Sequence, residues 1–156
     1  MSMSCLVCER IHQIKHNKNP CFVKELSTGY VVIGDHQRFR GYTLFLCKEH
    51  ATELHFLPRA FKLRFLEEMS LVAEAVYKAF RPEKLNYELL GMGCAHLHWH
   101  IFPRVAGDTP TLGPIWRLPY EEIYSDSVRP SEQERREMIT QLQQALENIL
   151  KGETHD

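Results

Sequence analysis

The sequence predicts an α+β fold in which a five-stranded antiparallel sheet is combined with two main helices. Residues 96–102 alternate between histidine and large apolar side chains, which is the period-two pattern of a strand with one buried face. Residues 58–80 repeat apolar side chains at steps of three and four, as an amphipathic helix does. Ser131 and Glu134 have the spacing of a capping box, which predicts the start of a second helix.

The remaining strands are short. Residues 21–26 and 30–34 are predicted to form a hairpin around the turn-forming Ser27-Thr28-Gly29, and residues 42–47 a third strand. The last two strands are predicted over residues 85–90 and 97–102.

Pro58 is tolerated at the start of the first main helix. An irregular connection and a closing helix follow later in the chain. Residues 104–119 are rich in glycine and proline, and are predicted to be an irregular connection long enough to be functional or mobile. The closing helix presents one apolar face, formed by Ile139, Leu142, Leu146 and Ile149.

Composition indicates one domain over residues 1–156. Hydrophobic residues make up 44% and charged residues 25% of the 156, which is enough for one substantial core. The formal net charge of −1 favours neither a nucleic acid polymer nor a membrane surface as partner, so a small-molecule ligand is expected. Because no apolar run has the length of a signal peptide or a membrane span, we expect a cytoplasmic protein.

Three histidines dominate the predicted last strand. In an extended segment His96, His98 and His100 lie on one face, while Leu97 and Trp99 point into a core. The row is compatible with the polar face of a half-exposed strand, with metal binding through neutral imidazoles, or with a nucleophilic histidine beside a phosphate. Histidine is not a favoured residue on strand surfaces, so a functional role is the better interpretation.

The five cysteines do not suggest a disulfide framework, because their number is odd and the chain can build a core without them. Cys5 and Cys8 have the Cys-x-x-Cys spacing that occupies two corners of a tetrahedral zinc site. A redox pair is the alternative, and the lack of a preceding strand makes it less favoured. His12, His50 and His55 are candidates for the missing ligands.

The pattern His-φ-His-φ-His-φ-φ, with φ apolar, resembles the signature of the histidine triad family, and residues 96–102 satisfy all seven positions. The following Pro103-Arg104 is also similar to that family. With its Cys-x-x-Cys, the chain resembles the zinc-containing branch, among diadenosine polyphosphate hydrolases and nucleoside phosphoramidases. This resemblance implies a homodimer with joined sheets and a structural zinc ion bound by Cys5, Cys8, His50 and His96.

The resemblance also implies a chemistry. His98 would attack the α-phosphate of a dinucleoside polyphosphate or nucleoside phosphoramidate, and water would hydrolyse the nucleotidyl-histidine intermediate. His100 would contact the same phosphate and assist proton transfer to the leaving group. His96 would either bind zinc or orient His98 directly.

Substrate contacts are expected at strand ends and in the loop before the histidines. Asp35 is a candidate acceptor for ribose hydroxyls, and Asn86 a candidate polar contact. Backbone amides of Gly93, Cys94 and Ala95 are candidates for stabilising charge on the phosphate.

The sequence departs from the family in three places that affect specificity. Tyr42 stands where many members have histidine, Cys47 replaces a usual proline, and Met92-Gly93 stands where glutamine or serine is common. Two other functions therefore remain open. One is a nucleotidyltransferase with phosphate or a sugar phosphate as acceptor, and the other is a zinc-stabilised nucleotide-binding adaptor with little catalysis.

Overall fold

The computed structural model describes residues 4–153, and the part of the chain that it covers contains a five-stranded antiparallel sheet. The strands follow the order β1-β2-β3-β5-β4 across the sheet. Their bounds are β1 Phe22–Glu25, β2 Gly29–Ile33, β3 Thr43–Cys47, β4 Lys84–Glu88 and β5 His98–Arg104. The predicted α+β class is confirmed, and the strands lie at the predicted places with ends that differ by one or two residues. The outermost ends of the predicted domain lie outside the described residues, so its extent over residues 1–156 stays a prediction.

Two long helices confirm the predicted pair, and two shorter ones add to them. The long helices are α2 (Arg59–Phe80) and α4 (Glu132–Glu153), and the shorter ones are α1 (Leu6–Lys15) and α3 (Tyr120–Tyr124). Ser131 and Glu134 form the predicted capping box, in which each backbone N–H donates to the other's side chain. Within residues 4–153, none of these helices is both long and apolar enough to cross a bilayer.

Helices α2 and α4 cover one face of the sheet and form the main core with it. Phe45 of β3 and Ile101 of β5 are fully buried beneath them, and the rings of Phe45 and Phe65 lie 5.2 Å apart. The histidine strand is therefore fixed from behind by apolar packing, which is the dominant stabilising term in a core of this kind.

A buried carboxylate connects helix α2 to the β1–β2 hairpin. Glu68 is 1% exposed and accepts the backbone N–H groups of Ser27 at 3.0 Å and Thr28 at 2.9 Å, together with both of their hydroxyl groups. Burial alone raises the pKa of Glu68, but the hydrogen bonds from Ser27 and Thr28 outweigh burial and bring that pKa below its ordinary value. The hairpin is thus held against the helix by an ionised side chain.

The irregular segment after β5 covers part of the opposite face. Arg104 donates to both carboxylate oxygens of Asp108 at 2.7 and 2.8 Å, to the Asn86 side-chain oxygen at 2.8 Å and to the Gly113 carbonyl at 2.9 Å. These bonds fold the segment back onto the sheet. There it forms a second apolar cluster made of Phe39, Tyr42, Phe102, Ile115, Leu118 and Ile123.

Candidate active site and metal centre

His98 begins strand β5 and is held in one tautomer. The residue is 8% exposed, and its Nδ1–H donates to the carbonyl oxygen of His96 at 2.6 Å. A carbonyl oxygen can only accept, so the proton of the neutral ring lies on Nδ1. The Nε2 lone pair of His98 is therefore free to act as a nucleophile.

His100 lies next to His98, with ring centroids 4.7 Å apart. Its Nδ1 lies 2.6 Å from the hydroxyl oxygen of Tyr42. Within residues 4–153, this contact is the only hydrogen bond of the buried Tyr42 hydroxyl. Burial lowers the pKa of His100 to about 4, with a smaller effect from His98, and burial raises the pKa of Tyr42 well above its ordinary value. Tyr42 therefore keeps its proton and can donate it to Nδ1 of His100, an arrangement that places the His100 proton on Nε2.

Both histidines border a cavity of about 240 Å³, named the nucleoside cavity after the ligand that the family resemblance implies. Its walls are mainly apolar, and Asp35 lies among them. Asp35 accepts from Arg10 at 2.7 Å and from the Cys21 thiol at 3.4 Å. Burial and the neighbouring Asp35 raise the pKa of Cys21 to about 12, so this thiol stays protonated and donates. The cavity therefore combines apolar walls, one carboxylate and one nucleophilic nitrogen.

The other predicted substrate contacts are separated by the structure. Cys94 lines the nucleoside cavity, whereas Gly93 and Ala95 line a different cavity beside Thr52 and Leu97. Asn86 lies outside the nucleoside cavity, and its side-chain oxygen accepts a hydrogen bond from Arg104. Among the predicted contacts outside the triad, Asp35 and Cys94 thus share a cavity with His98.

Cys5, Cys8, His50 and His96 form a compact cluster with all four ligand atoms within 4.8 Å of one another. The His96 Nδ1 lies 3.4 Å from each Sγ and 3.1 Å from the Nδ1 of His50, which itself lies 3.2 Å from the Sγ of Cys8. Ligand atoms around a tetrahedral zinc ion are separated by roughly 3.3–3.8 Å, so these distances are close to those of a zinc site.

The hydrogen bond behind His96 supports the same interpretation. Its Nε2–H donates to the carbonyl oxygen of Cys47 at 2.8 Å, which leaves a lone pair on Nδ1. That lone pair faces two sulfur atoms and a second imidazole nitrogen, a donor set that suits a shared zinc ion. The four residues therefore form a closed Cys2His2 site for a structural zinc ion.

Two alternative ligands considered from the sequence lie elsewhere. The ring of His12 packs against His16 with centroids 4.1 Å apart, and His55 contacts Phe56. His96 also departs from the predicted row, because the strand ladder begins at His98, opposite Leu46. A bend at His96, just before that strand, separates His96 from the other two, so His96 lies in the metal site while His98 and His100 remain together.

Three residues of the site were not identified from the sequence. Arg10 comes from helix α1, whose apolar Val7, Ile11 and Ile14 at steps of four and three were the available signal. Cys21 and the Tyr42 contact with His100 had no local signal. Cys21 contacts Asp35 across the ends of the β1–β2 hairpin, and Tyr42 contacts His100 between strands that are far apart in sequence.

The fold and the site define a class of protein in which two histidines of one strand border a mainly apolar cavity, next to a Cys2His2 metal centre. A family model described as the HIT domain matches residues 5–107, and the chain belongs to this family. No curated protein matches the chain.

Solved structures share the fold. A histidine triad protein from Sinorhizobium meliloti 1021 is similar with a TM-score of 0.72 and 20% identity over 91% of this chain and 97% of that one. A histidine triad protein from Marinobacter aquaeolei VT8 has a TM-score of 0.70 and 24% identity, covering 82% and 89% of the two chains. A Zn-bound histidine triad family protein from Mycobacterium smegmatis has a TM-score of 0.66 and 21% identity over 97% and 99%.

Proposed function

We propose that this protein is a nucleotide hydrolase that cleaves at the α-phosphate through a covalent nucleotidyl-His98 intermediate. The observation that carries the proposal is the Nδ1–H bond from His98 to the His96 carbonyl, which leaves Nε2 free beside the nucleoside cavity. Its substrates are dinucleoside polyphosphates or nucleoside phosphoramidates.

The reaction proceeds in two displacements. In the first, Nε2 of His98 forms a bond to the α-phosphorus while the bond from phosphorus to the leaving group breaks. In the second, water attacks the same phosphorus and the bond to Nε2 breaks, which releases the nucleoside monophosphate. Water supplies the hydroxyl group that ends on phosphorus and the proton that ends on the leaving group.

His100 stabilises the phosphate rather than attacking it. Because Tyr42 donates to Nδ1 of His100, the Nε2–H of His100 is available to donate to a phosphate oxygen next to His98. Cys94 forms an adjoining wall of the nucleoside cavity, whereas Gly93 and Ala95 lie beside a different one and are left out of the proposal.

The ribose and base occupy the nucleoside cavity. Asp35 is oriented by Arg10 and is the proposed acceptor for ribose hydroxyls. Asn86 contributes indirectly, by holding the Arg104 side chain that anchors the segment after β5.

Cys5, Cys8, His50 and His96 hold the zinc ion in this proposal, as the Zn-bound relative from Mycobacterium smegmatis supports. With four protein ligands the ion is a structural brace that fixes the ring and backbone of His96. Since the site needs reduced thiolates, we propose a cytoplasmic location.

Trapping of the intermediate tests the function directly. Wild-type protein mixed with α-³²P-labelled diadenosine tetraphosphate or adenosine phosphoramidate, then quenched in alkali, should retain label on the protein. His98→Ala should retain none and should lose turnover by about a thousandfold or more, because the nucleophile is gone. The exposed His55→Ala is the matched control and should behave as wild type. Label or turnover that persists in His98→Ala contradicts the proposal.

The same assay separates the alternatives. If phosphate added to the reaction yields nucleoside diphosphate in place of monophosphate, the protein is a transferase. If neither label nor product forms with any of these substrates, it is a nucleotide-binding adaptor.

A further inference from the structure

A second cavity adjoins the proposed active site. It has a volume of about 170 Å³ and shares the side chains of His100 and Tyr124 with the nucleoside cavity. We call it the Glu88 cavity. Its lining includes Glu88, His100, Trp116, Tyr120 and Tyr124, and the remaining lining residues are apolar. The two cavities therefore meet at His100 and Tyr124.

The Glu88 cavity contains an acidic group, which is unusual for a cavity beside a proposed phosphate site. Among the described residues, its lining contains one carboxyl group and no lysine or arginine. Glu88 pairs directly with His100 across strands β4 and β5, so both side chains lie on the same face of the sheet. A polyphosphate chain placed here meets a carboxyl group and finds no cation in the lining to neutralise it.

Glu88 also has an unused hydrogen-bonding atom. Its Oε2 is buried and has no partner within residues 4–153. Burial raises the pKa of Glu88, and a hydrogen bond from Trp116 and the charge of Arg104 offset that rise only in part. A buried oxygen without a partner is costly, so a ligand N–H group toward which the Glu88 side chain turns relieves a penalty already present.

The rim of the cavity is aromatic. Trp116 is 64% exposed and Tyr120 is 71% exposed, although both line the cavity and residues beside them are buried in the second apolar cluster. Exposed aromatic side chains at a pocket mouth provide flat apolar surface for a ligand.

From these features, we propose that the Glu88 cavity is a leaving-group subsite that takes an apolar or aromatic amine and disfavours a polyphosphate. This inference rests on the proposed function and narrows its substrate class. In the first displacement the bond between phosphorus and the amine nitrogen breaks, its electron pair stays on nitrogen, and the nitrogen takes its second proton from water. Glu88 accepts the N–H of the amine, and Trp116 packs against its apolar part.

Competing substrates test the subsite. The kcat/KM for adenosine 5′-phosphoramidate carrying phenethylamine is compared with that for diadenosine tetraphosphate, in wild type, Glu88→Gln and Trp116→Ala. Wild type should prefer the phosphoramidate. Glu88→Gln should shift the ratio of the two kcat/KM values about tenfold toward the tetraphosphate, because the carboxyl group no longer repels phosphate. Trp116→Ala should lower kcat/KM for the phosphoramidate about tenfold and leave the tetraphosphate nearly unchanged.

Matched controls are available elsewhere on the surface. Glu74→Gln removes an exposed carboxylate of α2, and Phe56→Ala removes an aromatic ring that is 64% exposed, as Trp116 is. Both should leave the ratio at its wild-type value. A shift of less than threefold in both Glu88→Gln and Trp116→Ala overturns the inference, as does a wild-type preference for the tetraphosphate.

Failure of the proposed function gives a different result. If wild type turns over neither substrate, calorimetric titration with phenethylamine itself decides the matter. Binding that is at least threefold weaker in Glu88→Gln than in wild type supports the subsite, and equal or undetectable binding in both overturns it.

Discussion

Tyr42 fixes the tautomer of His100 through one hydrogen bond of 2.6 Å. Tyr42→Phe removes the donor, so the His100 proton is no longer confined to Nε2, the atom that faces the phosphate. We expect kcat to fall about tenfold, the effect of losing roughly 1.4 kcal/mol of hydrogen bonding in the transition state. KM should change little, since the phenyl ring that this substitution leaves keeps the stacking of Tyr42 on Phe102.

Steady-state kinetics with a phosphoramidate substrate measure both constants. Tyr77→Phe is the control, because Tyr77 is an exposed tyrosine of helix α2. A Tyr42→Phe protein with unchanged kcat would show that His100 needs no partner on Nδ1.

For single residues, the sequence predicted that His98 and His100 lie together, but it could not predict which residues form hydrogen bonds with them. The alternation in residues 96–102 places His98 and His100 on one face, as the structure shows. It could not show that the ladder begins at His98, because that depends on where β3 ends. The turn of His96 toward the cysteines is therefore a tertiary effect.

Among the elements, helix α2 and the β1–β2 hairpin depend on each other through Glu68. Glu68→Gln puts an amide N–H2 among groups that donate, so at least one hydrogen bond to Ser27 or Thr28 is lost. We expect the free energy of unfolding in urea at pH 7 to fall by about 2 kcal/mol. Glu67→Gln, at an exposed neighbouring position paired with Arg64, should change it by less than about 0.5 kcal/mol.

The pH dependence of this contribution has a definite sign. The pKa of Glu68 is lower in the folded protein than its ordinary value of 4.5, so the unfolded chain binds a proton first as the pH falls. The stabilisation is complete above about pH 5.5 and is lost as the pH falls through the folded pKa. The stability difference between wild type and Glu68→Gln should therefore be smaller at pH 4 than at pH 7. A constant difference would mean that Glu68 does not titrate with folding.

Most elements were predicted from local sequence patterns, but helix α1 was not. Its apolar residues occupy one narrow face, and the cysteines at its start were interpreted as metal ligands without a predicted structure around them. The Glu88 cavity was even harder to predict from the sequence. Glu88 and Trp116 are brought together by a segment that has no periodicity.

For the whole molecule, strand β4 is the edge of the sheet and pairs on one side with β5. We predict that two chains join through this edge, as the family resemblance implies. Light scattering should give twice the mass of one chain, and Tyr87→Lys, at a residue of β4 that is 47% exposed, should shift the protein toward monomer. Phe56→Lys, at another exposed aromatic, should leave the mass unchanged. A monomeric wild type would refute the predicted dimer.

Helix α1 is ten residues long, yet it takes part in both the metal centre and the nucleoside cavity. Cys5 caps its first turn and Cys8 lies within it, while Arg10 reaches Asp35 from the same helix. We therefore expect occupancy of the two sites to be linked thermodynamically, with equal effect in both directions. Stripping zinc with a chelator should weaken AMP binding about fivefold or more, and saturating AMP should strengthen zinc retention by the same factor. A shortage of zinc would accordingly lower the affinity of this protein for its nucleotide.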